Sequence, residues 1–278
     1  MNKKRDYTIS TFTWIALYTS FVYLFLIDLR LFTFLLLILV ITFEQFFPHN
    51  RSWNKPDMQT FNNIIFNFSS TFTNLYTIAL VLIITPIILS KMSWDFSIWP
   101  SELYFPIQVL IGLLYYDFIY YWYHRISHKN QWLWRLHRLH HSSEKLNTLA
   151  LGKFNIIDIF LEIFIINVGL VLIQLPENVF FAAQSFMIPA TILSHSNFDV
   201  KLPSWLKRIV ITPTSHRIHH SINQLEHDSN YGGFSHFWEI VFKTYNPVVN
   251  MEPVQTGIAG HKMSPWIWSQ FFDFLKKD

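Results

Sequence analysis

Long apolar runs alternate with short polar stretches through the first 123 residues. Each run is close to the length that crosses a bilayer, about 20 mostly apolar residues. Residues 9–27 carry no charge and qualify. Asp28 and Arg30 then interrupt, and 31–47 is apolar apart from Glu44, so the two segments read as a hairpin. Residues 48–59 are polar and include Arg51 and Lys55. The following run, 60–90, is uncharged, with Pro86 late enough to kink only its end. The loop over 91–102 holds Trp94 and Trp99, as an interfacial aromatic belt requires. Residues 103–123 make a fourth predicted span, broken only by Asp117.

Beyond Tyr123 the pattern changes. Residues 124–153 are polar and rich in His, Arg and Lys. Residues 154–195 are apolar again, but Asp158 and Glu162 delay the start and 176–178 divide the run. This predicts two short helices that dip into the membrane and return to the same side. From Asp199 onward the chain is polar, with apolar residues spaced as the core of a cap. The predicted fold is therefore all-α, a multi-span membrane protein. It has about four transmembrane helices, a re-entrant helical hairpin and a histidine-rich helical cap. The boundaries fall at 1–102 for an N-terminal transmembrane region, 103–245 for a catalytic domain and 246–278 for a C-terminal tail.

The positive-inside rule sets orientation. With Lys3, Lys4 and Arg5 on the cytoplasmic side, four spans return the chain there at His124. Arg51, Lys55, Arg125, Lys129, Arg135 and Arg138 then all fall inside, so the assignment is self-consistent. The apolar stretch after Arg5 lacks a small-residue cleavage site and reads as a retained span rather than a signal peptide.

Composition agrees with lipid as the main solvent. Of 278 residues, 51% are hydrophobic, 18% aromatic and only 14% charged, against roughly 25% charged in a typical soluble domain. The absence of cysteine excludes disulfides, thiolate zinc sites, cysteine-held iron–sulfur clusters and thiol catalysis. A net charge of +3 without a basic arm gives no footing for nucleic acid.

Thirteen histidines are present, and eight fall in three tight clusters. His124 and His128 are spaced i, i+4. His137, His140 and His141 are spaced i, i+3, i+4, and His216, His219 and His220 repeat that spacing. On a helix such residues share a face, so each cluster aims its imidazoles at one point. Imidazole nitrogen binds Fe, Zn, Cu and Ni well, and this number suffices for two ions. A single such pair is often surface coincidence. Three clusters beside apolar spans are not, because buried neutral imidazoles without metal need partners that an apolar core lacks. From His124 to His141 a straight helix would run about 25 Å, too far for ligands of a shared centre. The helix is expected to break at Asn130 and Gln131, and the third cluster to fold back over the first two.

The motifs HRISH at 124–128, HRLHH at 137–141 and HRIHH at 216–220 resemble the fatty acid hydroxylase/sterol desaturase superfamily. The likeness covers roughly residues 103–245. HHSSEKLN at 140–147, TPTSHRIHH at 212–220 and DSNYGGFSHFWEIVFKTY at 228–245 bring it nearest the alkylglycerol monooxygenase-like branch. The resemblance implies a non-haem centre of two iron ions held by histidines, using O2 and two electrons to oxidise a lipid. Hydroxylation, desaturation and ether cleavage all occur in such a family. It also implies a further ligand at His195, in LSHSNF, and ligand-orienting roles for Asp228 and Asn230; Glu144, directly after the second cluster, has a similar position. For Asp228 and Asn230 a plain turn is an equal reading, since Asp, Asn and Gly all form turns.

Asp117 lies in a span, where a carboxylate is costly unless partnered. His49, His227, His236 and His261 lack cluster spacing and read as structural or solvated. No flavin or nicotinamide fingerprint is present. Electrons are then expected from a cytochrome, ferredoxin or reductase, or from tetrahydrobiopterin if the alkylglycerol branch applies. The cations around the clusters suit an acidic carrier and equally suit the positive-inside rule. A membrane zinc hydrolase is the rival enzyme, weakened by the lack of HExxH. A metal transporter or haem protein is the non-catalytic rival, weakened because haem carriers use isolated histidine pairs. The sequence leaves the lipid itself open.

Overall fold

The structure is a computed structural model that describes residues 29–91, 98–247 and 255–276. The predicted first span at 9–27, the basic residues Lys3 to Arg5 and Trp94 lie outside the described residues. Every regular element within them is helical. In chain order the α-helices are α1 (Leu29–Phe46), α2 (Met58–Lys91), α3 (Phe105–Lys129), α4 (Gln131–His141), α5 (Ile156–Leu172) and α6 (Glu177–Ser194). Five short ones follow: α7 (Ser204–Lys207), α8 (Pro213–His219), α9 (Gln224–His227), α10 (Phe237–Phe242) and α11 (Ile267–Phe271).

The long helices form a bundle in which α2 lies along α5, α3 along α5 and α6, and α1 along α6. The two helices predicted over 154–195 are present as α5 and α6. Asn155 caps α5 by accepting from Ile157 N, and Pro176 opens α6. Among the described residues one segment, Met58–Thr85 of α2, is long and apolar enough to cross a membrane. Its outward side carries Phe68, Phe72, Leu75, Tyr76, Leu82 and Ile83, each more than half exposed. Water does not stabilise a continuous apolar face of that kind. Trp99 departs from the belt expectation. It is buried against Val109, Ile173 and Val179, with its Nε1–H donated to Gln108 Oε1 at 2.8 Å.

Polar side chains fasten this bundle to the chain that follows the second histidine cluster. Glu44 of α1 is buried and accepts from Thr148 N (2.9 Å), Thr148 Oγ1 (2.7 Å) and Asn197 N (2.6 Å). On α2, Asn67 donates to Leu149 O and Ser70 to Gly152 O. The 255–276 segment crosses the same side of the bundle. Asn62 donates to Pro265 O, Asn155 to Phe271 O, and Phe271 packs on Phe66 at 4.6 Å.

Gly152 is where α2 comes closest. A Cβ there would lie 2.7 Å from Asn67 Cα, a backbone atom that cannot step aside. Replacing Gly152 by Val is expected to destabilise the fold by about 1–3 kcal/mol through overpacking. A thermal unfolding series in detergent measures this; an unchanged midpoint would disprove the close approach.

Candidate metal centre

Asn130 creates the geometry that the centre needs. Its N–H ends α3 on Ile126 O, and its side chain then starts α4 by accepting from Trp132 N (3.0 Å) and Leu133 N (3.1 Å). One residue thus stops one helix and caps the next. The chain folds back, so that His137, His140 and His141 on α4 meet His124 and His128 on the last turns of α3. The third cluster sits on α8, a single short helix stabilised by a reciprocal cap between Thr212 and Ser215 and by Pro213 in its first turn. His216 and His219 lie within it and His220 ends it. His195 ends α6.

These elements bring the nine predicted histidines together. Potential ligand atoms of His124, His128, His141 and His219 lie within 4.8 Å of one another, and so do those of His140, His195, His216 and His220. His137 stands between the two groups. Its ring is 4.8 Å from that of His124, 5.0 Å from His141 and 5.5 Å from His140, and its Nε2 is buried without a partner.

Ring orientation follows from the outer nitrogens. His124 Nδ1–H donates to Tyr231 O (2.6 Å), His219 Nδ1–H to Ser229 O (2.8 Å) and His195 Nδ1–H to Thr191 O (3.1 Å). A neutral imidazole has one N–H, so each Nε2 presents a lone pair to the centre. Yet His124 Nε2 and His219 Nε2 are 3.0 Å apart. The other close Nε2 pairs are His128 with His141 (3.1 Å), His140 with His195 (3.2 Å), His216 with His195 (3.0 Å) and His216 with His220 (3.1 Å). Two facing lone pairs repel unless a proton or a metal ion sits between them. Burial first, then neighbouring imidazoles, hold His124, His128, His140, His141, His216, His219 and His220 well below their ordinary value, which disfavours the proton. For metal–nitrogen bonds of about 2.1 Å, neighbours at right angles lie about 3.0 Å apart and tetrahedral neighbours about 3.4 Å. The observed spacing of 3.0–3.2 Å is in the range set by nitrogens that share one metal ion.

Buried acids support the ring frame. Asp158, in the first turn of α5, accepts from His137 Nδ1 (2.9 Å) and from Tyr123 OH (2.6 Å). Asp117 has the partners that its place in a span demands: Gly233 N (2.9 Å), Phe234 N (3.0 Å), Ser235 N (3.3 Å) and Ser235 Oγ (2.9 Å). It fixes the loop whose Tyr231 carbonyl aims His124. Asp228 Oδ1 lies 3.6 Å from His128 Nδ1, while its other oxygen takes Lys129 Nζ at 2.6 Å. Asn230 braces a turn instead. At φ 55° its side chain donates to Ser215 O and Asn246 O and accepts from Asn246 N. Glu144 is exposed, and its carbonyl accepts from Thr256 Oγ1.

The arginines inside two motifs are buried and paired away from the rings. Arg138 binds Asp273, and Arg217 binds Asp199 and lies over Trp53, which keeps cationic charge off the neutral rings. Of the remaining histidines, His49 binds Asp199 (2.6 Å) and His261 faces Asp273 (3.2 Å). His236 is buried beside Tyr245, and His227 lies against the first group, 5.6 Å from the His128 ring. Sequence reasoning missed Asp158, Trp134 beside His128 and Phe154, which stacks on His140 at 4.1 Å. An acid in the first turn of the apolar helix that follows the second cluster was the available signal for Asp158.

Fold and site together define a helical protein built around a histidine metal centre. Residues 109–244 match the fatty acid hydroxylase family. Ornithine lipid hydroxylase of Rhizobium tropici is 28% identical over 80% of this chain and 68% of that relative. Alkylglycerol monooxygenase of Xenopus tropicalis is 31% identical over 66% of the chain, and that of Homo sapiens 26% over 56%. The chain spans only 41% and 36% of those two proteins. No solved structure matches it. The family match and these relatives support the fatty acid hydroxylase/sterol desaturase superfamily for this chain. Its relatives are named hydroxylases and monooxygenases, which makes it an oxidoreductase, and family and clusters together point to an iron centre.

Two outcomes follow from the ring frame. Replacing Asp158 by Ala frees His137 and is expected to weaken metal binding about 10- to 100-fold, measured by chelator competition; unaltered affinity would remove Asp158 from the frame. In chelator-stripped protein the folded imidazoles resist protonation, so the unfolded chain binds more protons as pH falls below about 6.5. Stability is therefore full above that pH and declines below it. Melting curves across this range, without and with added Fe(II), check the sign; metal should delay the decline.

Proposed function

We propose that this protein is an integral membrane oxygenase that hydroxylates a lipid, with two non-haem iron ions, O2 and two electrons from an external donor. The observation that carries the reading is the 3.0 Å approach of His124 Nε2 to His219 Nε2, with both ring protons already committed to carbonyls. In this proposal His124, His128, His141 and His219 hold one ion and His140, His195, His216 and His220 the other. His137 lies between them, and tetrahydrobiopterin is a rival electron source. Bound iron would supply the redox chemistry that splits O2 and oxidises an unactivated C–H bond. The net change is R–H + O2 + 2e⁻ + 2H⁺ → R–OH + H2O.

The chain's own residues supply orientation and dryness. Asp158 and the carbonyls of Thr191, Ser229 and Tyr231 hold the rings, and the surrounding helices exclude water. A lipid substrate fits the apolar groove of about 480 Å³ lined by Phe72, Thr73, Tyr76, Ile156, Ile157 and Phe160, between α2 and α5. It begins two residues from Phe154, the ring stacked on His140. The exposed apolar side of α2 favours a membrane location, and the positive-inside pattern favours a cytoplasmic centre. A relative that spans 80% of the chain is named an ornithine lipid hydroxylase, which favours hydroxylation over ether cleavage.

Metal analysis of protein purified in detergent is expected to give two irons per chain and no haem absorbance; a single zinc would sink the reading. Lipid extracts of cells with and without the protein, grown under ¹⁸O2, are expected to differ by a lipid carrying the label. His140→Ala should lose iron and abolish that product, and retained labelling would contradict the ligand assignment.

A further inference from the structure

The reaction above consumes two electrons, and the chain has no cysteine and no fingerprint for an organic redox cofactor. Electrons must cross from the surface to the imidazoles through packed side chains. One such path is visible. The Trp134 ring lies 5.2 Å from the His128 ring and 5.6 Å from that of His141, and it stacks on His227 at 5.5 Å with planes 14° apart. His227 in turn lies 5.6 Å from His128 and 6.1 Å from His141. The side chain of His128 is fully buried and His141 is 1% exposed, whereas Trp134 and His227 are each part-exposed. Two stacked rings therefore touch the first histidine group on one side and solvent on the other.

Where they surface, the end of α3, the start of α4 and α9 meet, fastened by Lys129 on Asp228 at 2.6 Å. Ile126 (46%), Trp132 (54%) and Leu225 (85%) are exposed around this junction. A cavity of about 340 Å³ opens beside it, lined by Trp122, Arg125, Ile126, Lys129 and Asn130. Arg125 donates to Tyr121 OH and lies over the Trp122 ring at 5.3 Å. Lys243 is exposed next to Phe242, which packs on Trp122 at 4.9 Å. Arg125, Lys129 and Lys243 outnumber Asp228 and Glu226 here, so the face is apolar at its centre and positive at its rim. Interfaces that steer a charged partner onto an aromatic centre have that layout.

We propose that Trp134, with His227 stacked on it, is the port through which electrons reach the histidine centre, and that the face around it docks an acidic protein carrier of single electrons. The inference rests on the oxygenase reading. Each docked carrier is oxidised by one electron, and two successive dockings supply the pair that the hydroxylation consumes.

The test compares two reductants of the iron-loaded protein in detergent: a reduced plant-type [2Fe–2S] ferredoxin, which must dock, and methyl viologen radical, which need not. Stopped-flow reduction by ferredoxin is expected to slow about tenfold relative to reduction by viologen in Trp134→Leu, with most of the rate restored in Trp134→Phe. Ferredoxin binding to the metal-free protein, measured by calorimetry, should weaken about tenfold in Arg125→Glu/Lys243→Glu at low salt, and the difference should fade as salt rises. An equal loss of both rates in Trp134→Leu reduces Trp134 to packing and overturns the port. Ferredoxin binding that ignores charge reversal, or reversal that instead abolishes binding to phosphatidylglycerol vesicles, overturns the docking face. A centre that neither reductant can reduce overturns the oxygenase reading, and this inference with it.

Discussion

Facing lone pairs are the constraint on which this structure depends. His124 and His219 spend their only protons on the carbonyls of Tyr231 and Ser229, then point bare Nε2 atoms at each other across 3.0 Å. That contact is unfavourable until a cation enters it, so the fold must hold it together by other means. Those means are visible in the loops. Residues 229–235 supply both carbonyls, and Asp117 grips their far end through three backbone N–H groups and the Ser235 hydroxyl. A buried carboxylate is expensive on its own and affordable when four donors converge on it. Asp117 therefore acts on His124 through the loop, without touching the ring.

The same logic explains why the bundle is fastened by buried polar groups. To hold a metal, the histidines of α3, α4, α6 and α8 would have to keep their relative positions to within fractions of an ångström. Apolar packing between helices in lipid does not specify register well, because lipid tails are as apolar as the side chains they replace. Directional bonds do. Glu44 joins α1 to Thr148 and Asn197, the latter two residues beyond His195. Asp158 joins α5 to both Tyr123 of α3 and His137 of α4. Glu44, Asp117 and Asp158 each interrupt an apolar run, and each ties together segments that are distant in the chain.

That pattern also marks how far the sequence could be read. Asn130 was legible as a break because the cluster spacing required one there and Asn is a cap former. The division of 154–195 at Pro176 was legible from composition, and so was the convergence of the three clusters. The pairing within them was not. Spacing shows that His140 and His141 share a turn, but it does not say that they face different groups, because a small rotation about the helix axis decides it. The carbonyl partners of His124, His195 and His219 were invisible, since any residue type presents a carbonyl. Asn230 was left open between a ring contact and a turn for a related reason. Its place in the motif suggested a ring contact, whereas its left-handed backbone and its bonds to Ser215 and Asn246 make it the corner that lets 229–231 turn.

The two histidine groups also differ in what surrounds them, and this gives the centre a direction. Trp134 and His227 lie against His128 and His141 of the first group, where the surface is part polar and positively rimmed. Phe154 lies flat on His140 of the second group, two residues from the groove between α2 and α5. The proposed carrier would meet the first side and the proposed lipid the second. A reaction that takes electrons from a soluble carrier and carbon from a lipid needs that separation, because an apolar chain and a docked protein cannot occupy one surface. His137, ringed by both groups and tied by Asp158 to the helix that lines the groove, is the residue that joins the two sides.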